Sequence, residues 1–216
     1  MNKDDSAPNM GDYGLFHPRI LIPFLLVSLI WGSTWLVIRD QISSVPDGWS
    51  VCYRFTVAAT GMFLLAKIRQ QPVTIDKAGH LWAMLIGAVQ FAANFNLVYA
   101  AEHHITSGLV AVLFALLIMP NALLGWFWLK RPITRSFWFG SAIAVSGVAL
   151  LILREYRMAP VGAAAVLTGT GLTLIAVMCA SIANVVQASK YMGRYPVISI
   201  LAWAMLYGAL GNAIWS

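Results

Sequence analysis

Apolar residues in this chain come in long unbroken runs separated by short polar stretches, with no strand-like alternation. Seven runs stand out, at residues 20–38, 49–68, 81–101, 107–129, 136–153, 161–186 and 197–215. A helix needs about 20 apolar residues to cross a bilayer, so each run predicts one transmembrane helix. An outer-membrane barrel would show shorter segments of alternating polarity. One such run can be mistaken for a buried helix of a soluble protein, but seven in series cannot. The expected fold is all-α, a polytopic membrane helix bundle of seven transmembrane helices that leaves no room for a soluble domain.

Composition agrees. The chain is 60% hydrophobic and 10% charged, where soluble domains run at about 25% charged; mean hydropathy is +0.75. These figures exclude a disordered chain, a nucleic-acid arm and an ordinary soluble enzyme, because so apolar a surface would exceed the patches that soluble monomers tolerate. The lipid bilayer is the expected partner, and the formal charge of +6 is read as basic cytoplasmic loops, with no nucleic acid implied. Cys52 and Cys179 lie inside apolar runs and make no disulfide framework. Residues 1–19 are polar, with Asp4, Asp5 and Asp12, and no small-residue cleavage pattern follows the first run. They are expected to be a cytoplasmic tail before a retained anchor, not a cleaved signal.

Lysine and arginine set the orientation. Lys3, Arg19, Lys67, Arg69, Lys77, Lys130, Arg131, Arg135, Lys190 and Arg194 fall on one side; Arg39, Arg154 and Arg157 fall on the other; Arg54 lies inside the second run. The N-terminus is therefore expected in the cytoplasm, and an odd number of spans puts Ser216 outside, almost where the seventh run stops.

The chain also resembles itself at an offset of about 150 residues. Residues 29–38, a loop with Pro46 and a new apolar run are echoed by residues 178–187, a loop with Pro196 and a further run. Thr34 falls opposite Asn184. Five helices separate the two starts, so the second copy would enter the membrane from the opposite side, an inverted repeat of the kind secondary transporters use. Chance likeness of two apolar hairpins is the competing explanation.

Several stretches then point one way. They are Trp31-Gly32-Ser33-Thr34-Trp35, Tyr53-Arg54-Phe55, the segment 99–111 with Glu102, His103 and His104, Pro120, Lys130-Arg131-Pro132-Ile133-Thr134, and Phe139-Gly140 through Gly147-Val148. In this order and spacing they resemble the EamA-type transporters of the drug/metabolite transporter superfamily. Residues 20–153 correspond to one five-helix repeat, and residues 161–216 to the first two helices of a second. The resemblance implies a ten-helix protein of two inverted repeats around a central cavity. It also implies a bacterial inner-membrane location and alternating-access transport, export in the first place, of small organic metabolites of amino-acid-like or drug-like character. Against that pattern the last three helices are missing, so the chain is expected to be about seven tenths of such a protein. The remaining cavity wall would come from those helices or from a second copy of the chain, a homodimer. The alternatives are a truncated fragment that does not transport and a seven-helix receptor. The cytoplasmic N-terminus and the absence of lysine from residues 197–215 speak against a receptor.

Candidate site residues follow from polarity inside the runs. Arg54 is either a partner for a solute carboxylate or an interfacial anchor stacked on Trp49 or Tyr53. Trp31, Thr34, Trp35 and Ile38 share one helix face and suit either an amphipathic solute or helix packing. Gln90 and Asn94 share a face of the third helix, Asn96 and Tyr99 another, and Asn184 and Gln187 lie in the sixth; buried amides bind solute or bridge helices. Pro120 is expected to free the Leu116 carbonyl and kink the fourth helix as a hinge, with Asn121 placed to satisfy the freed group. Glu102, His103 and His104 read as a solvated outer loop whose spacing matches no zinc pattern. No Asp or Glu falls inside a run, which disfavours coupling through a titrating carboxylate; the small four-helix multidrug exporters carry such a Glu in their first helix. Small residues at Gly140 and Ala144, Ala176 and Ala180, and Ala204, Gly208 and Asn212 are expected at helix contacts, and Gly169 and Gly171 to loosen the sixth helix. No phosphate loop, Ser/His/Asp set or metal cluster is present, so neither enzyme activity nor a cofactor is expected.

Overall fold

The computed structural model describes residues 17–158 and 162–216. Most of the expected cytoplasmic tail, and the start of the sixth run, therefore lie outside the described residues. What is described is all-α, with seven helical stretches long and apolar enough to cross a membrane. Five spans are single helices from end to end: α1 (Pro18–Gln41), α2 (Asp47–Ile68), α7 (Arg135–Met158), α8 (Ala163–Gln187) and, as the seventh span, α9 (Val197–Trp215). The third span is α3 (Lys77–Ile86), a π-helical segment Gly87–Ala93 and α4 (Asn94–Glu102). The fourth is α5 (Ser107–Ala115) and α6 (Ile118–Leu129).

The helix ends are set by capping residues in the short polar stretches. His17 accepts from the Arg19 amide ahead of Pro18. The Asp76 carboxylate accepts from the Gly79 amide at 2.7 Å, and Thr106 accepts from the Leu109 amide at 3.4 Å. Each satisfies a donor that a helix start leaves open. Pro46 and Pro196 stand at the N-caps of α2 and α9, where a missing amide costs nothing. Lys130 ends α6 in the left-handed region at φ 56°.

Two packing units form the bundle. α9 lies along α2 and against α3 and the π segment, while α8 is gripped by α4, α5, α6 and α7. α8 is the most enclosed span, and α1 leans chiefly on α5 with only Ile38 buried. Leu36 is 69% exposed and Phe139 73% exposed. In water such faces would aggregate; in hydrocarbon they cost nothing, because lipid tails are as apolar as leucine.

Contacts between loops fix which helix ends lie together. His103, after the third span, sits 3.1 Å from the Asp47 carboxylate at the start of the second. At the opposite end, Tyr195 donates to Asp76 at 2.5 Å and Arg194 lies 3.9 Å from it. The loops after the first and third spans thus share one end, and those after the second and sixth share the other, as alternate crossings require.

Some packing differs from the sequence expectation. Ala176, Ala180, Ala204, Gly208 and Asn212 are buried at helix contacts. Gly140 and Ala144, on the outer face of α7, are exposed with no helix against them; a small-residue pair marks a contact only where a neighbour arrives. Gly169 does not loosen its helix. α8 is continuous there, and the missing side chain lets the loop at His104 and Ile105 pack against it.

Candidate functional site

A cavity of about 630 Å³ opens between the two packing units. α1 contributes Trp31, Thr34, Trp35 and Ile38, the face its spacing predicts. α2 contributes Arg54 and Phe55; the third span contributes Gln90, Asn94, Phe95 and Val98; α8 contributes Ala180 and Asn184. Phe114 and Leu117 come from the fourth span, and Met205 from α9. Trp31, Thr34, Trp35, Arg54, Gln90, Asn94 and Asn184, all candidates for a solute site, therefore share one space.

Among the described residues, Arg54 is the one charged side chain lining this cavity. Its guanidinium lies 5.5 Å from the Phe95 ring centre and 5.9 Å from that of Tyr99. The interfacial stack on Trp49 or Tyr53 is not formed; those two rings stack on each other, 5.7 Å apart. Turning inward, Arg54 has aromatic faces beside it and, among the described residues, no carboxylate within 4.0 Å. A planar guanidinium on rings keeps its donors free for an incoming acceptor.

The amides divide between structure and cavity. The Asn94 amide donates to the Ala176 carbonyl at 2.7 Å, tying the third span to α8. The Gln90 carbonyl oxygen is buried and, among the described residues, has no hydrogen-bond partner. Both residues are carried in or beside the π-helical segment. The looser turn there brings α9 close: a Cβ on Gly87 would come within 2.6 Å of the Ala204 carbonyl, and one on Gly208 within 2.5 Å of Phe91 Cβ. Such π insertions recur at functional sites.

Other candidates lie elsewhere, Asn96 among them, which donates to the Ala92 carbonyl and to the Asn212 side-chain oxygen. Tyr99 is fully buried and donates its hydroxyl to Gln41 at 2.6 Å, so it braces α4 to the end of α1. Gln187 donates to the Ala183 carbonyl one turn back. Asn121 accepts from the Asn184 amide at 3.4 Å and lines a neighbouring cleft of about 430 Å³ with Arg131 and Thr134. The Pro120 expectation also changes. The helix breaks one turn earlier, at residues 116–117, and the Leu116 carbonyl accepts from the Met119 amide at 2.9 Å, so Asn121 is not needed there.

Glu102 is not part of a solvated loop. It is the last residue of α4, 9% exposed, and neither carboxyl oxygen has a hydrogen-bond partner among the described residues. Sequence reading also missed Phe55, Phe95 and Phe114. Phe55 packs 4.7 Å from both Phe91 and Phe95, and Trp35 lies 5.5 Å from Phe114. In a uniformly apolar run, nothing marks which aromatic turns inward.

Comparison with known proteins supplies the frame. Residues 19–153 match the EamA-like transporter family. Protein PagO of Salmonella typhimurium is 34% identical over 105 residues, 49% of this chain and 34% of that protein. The uncharacterized inner membrane transporter YedA of Escherichia coli K12 is 34% identical over 126 residues, 57% of this chain and 40% of YedA. The uncharacterized transporter YoaV of Bacillus subtilis is 23% identical over 200 residues, 92% of this chain and 66% of YoaV. The matches with PagO and YedA thus span between a third and two fifths of those relatives. No solved structure matches significantly. With seven apolar spans and a family match over more than half its length, this integral membrane chain belongs to the EamA-like transporter family.

Proposed function

We propose that the chain builds the central part of a secondary transporter for small polar or amphipathic organic solutes, amino-acid-like or drug-like. The transporter exports them across a bacterial inner membrane by alternating access. One observation carries this reading: a cavity of about 630 Å³ holds a single charge, Arg54, among aromatic and amide groups. Small-molecule sites have this size and this mixture of apolar wall and few polar anchors. Arg54 takes a solute carboxylate, Gln90, Asn184 and Thr34 take its polar groups, and Trp31, Trp35 and Phe95 enclose its apolar part. The family pattern supplies three further helices to complete the wall; a second copy of the chain is the other candidate for that role. By the positive-inside rule the end carrying Arg131 and Arg194 faces the cytoplasm, and the cleft beside Arg131 then faces the solute pool for export. No cofactor, metal or catalytic step enters this reading.

Proteoliposomes test it. Labelled neutral amino acids and their amide derivatives are offered as paired probes, with wild-type protein and Arg54→Gln. We expect carboxylate uptake with a half-saturation concentration raised ~10- to 100-fold in Arg54→Gln, and the amides little affected. A charge-assisted hydrogen bond of about 1.5–3 kcal/mol gives that range. Equal loss for acid and amide removes Arg54 from the site, and no protein-dependent flux of either probe favours a non-transporting fragment.

A further inference from the structure

Asn184 lines both the central cavity and the cleft of about 430 Å³ beside Arg131. On the facing helix the boundary is as thin: Leu117 lines the cavity, and Ile118, the next residue, lines the cleft. Between the two spaces runs one side-chain hydrogen bond, from Asn184 to Asn121, at 3.4 Å. That is longer than the usual range of about 2.7–3.2 Å for an N–H to oxygen bond. The partners also sit on unequal supports. α8 is the most enclosed span of the bundle, whereas α6 starts just after the break at residues 116–117 and carries Pro120 in its first turn. Above the break, Leu109, Val110 and Leu113 hold α5 in the core. Only Gly125 of α6 is buried. α6 packs chiefly against α8, so a tilt of the lower half of the fourth span would part that one seam and leave the upper half docked.

We propose that the Asn121–Asn184 hydrogen bond is the inner gate of the central cavity, opened by a tilt of α6, and that the cleft beyond it is a second solute compartment. Its chemistry suits an amphipathic organic anion: Arg131 and Thr134 at the mouth, Ile133, Phe137 and Val185 as an apolar wall. The inference rests on the central cavity being the solute site, and it assigns the route by which that site reaches the end with the basic residues.

The gate is testable without knowing the solute. Cys52 and Cys179 are replaced by Ala, and Thr34→Cys reports from inside the cavity. A membrane-impermeant cationic methanethiosulfonate is added to inside-out vesicles, with Thr134→Cys at the cleft mouth as the control for sidedness. We expect Thr34→Cys to react slowly, and at least three-fold faster when Asn121→Ala is added. A rate that Asn121→Ala leaves unchanged overturns the gate. So does a Thr34→Cys that stays unreactive in Asn121→Ala while Thr134→Cys reacts. Solute flux is absent from every arm, so failure here leaves the carboxylate reading of the cavity standing, and failure of that reading leaves the gate measurable.

Discussion

Two charged residues show how one side chain takes its role from its surroundings. Arg54 has aromatic faces on its inner side and no carboxylate nearby among the described residues. Lysine there would keep the charge but lose the planar stack and the forked donor geometry. Arg54→Lys should recover only part of the carboxylate affinity lost in Arg54→Gln, read from half-saturation concentrations; full recovery would reduce the role of Arg54 to charge alone. Asp76, outside the spans, accepts from the Tyr195 hydroxyl and the Gly79 amide and lies near Arg194; in that order, these hold its carboxyl below the usual value. A lowered value means the clasp is fully present above the ordinary carboxylate range and is lost only as pH falls through the folded value. Tyr195 keeps its proton to higher pH than a free tyrosine, first through desolvation and then through Asp76. The Gly79 amide should therefore be protected from exchange, relative to a free peptide, at pH 6, lose that protection only below the ordinary aspartate value of about 3.9, and lack it at pH 6 in Asp76→Ala. Equal exchange in the wild type and Asp76→Ala at pH 6 would rule out the cap. Arg54 was legible in the sequence because a charge inside an apolar run has few places to go. Tyr99 and Gln187 were not, since an amide or hydroxyl at cavity-compatible spacing is equally able to bond across to Gln41 or back to Ala183.

At the level of elements, apolar runs fixed the spans to within a few residues, because hydrocarbon thickness sets their length. Departures inside a run left no comparable mark. The π segment Gly87–Ala93 is as apolar as the helices flanking it, and only the later packing of Gly208 against Gly87 shows why a small residue belongs there. The break in the fourth span was expected from Pro120, yet it falls upstream, because Met119 takes the Leu116 carbonyl. The π–α9 crossing leads to a stability prediction. Gly208→Ala pushes a methyl against Phe91 and the Gly87 carbonyl, and overpacking of this kind costs about 1–3 kcal/mol. Gly61→Ala in α2 meets nothing within 4 Å and should leave stability unchanged or raise it. Thermal unfolding in detergent separates them: a clear fall for Gly208→Ala and none for Gly61→Ala. Equal midpoints would mean the two helices are not in backbone contact.

For the whole molecule, the question is which ends share a side of the membrane. Asp47 with His103, and Asp76 with Tyr195 and Arg194, are local contacts, yet they put the loops after the first and third spans at one end and those after the second and sixth at the other, as seven alternate crossings require. Ser216 lines the same cleft as Asp47, so the end of α9 lies with the loop between the first two spans. Charge then gives a direction: Arg39, Arg154 and Arg157 stand at the ends of α1 and α7 on the Asp47 side, and the other loop arginines and lysines among the described residues stand at the opposite end. By the positive-inside rule the proposed orientation puts the Asp47 end outside and the opposite end, with the N-terminus, in the cytoplasm. Single cysteines in a background lacking Cys52 and Cys179, labelled with an impermeant maleimide on intact cells, decide both points. Ser43→Cys and Ser216→Cys should label directly, and Gln71→Cys and Ser189→Cys only after permeabilisation. All four reversed would keep the seven spans and turn the molecule over, so that the cleft beside Arg131 would face outward and the assigned direction of export would fall. Ser43→Cys and Ser216→Cys on opposite sides would break the seven-span topology itself, and with it the cavity that α1, α2 and α9 build together.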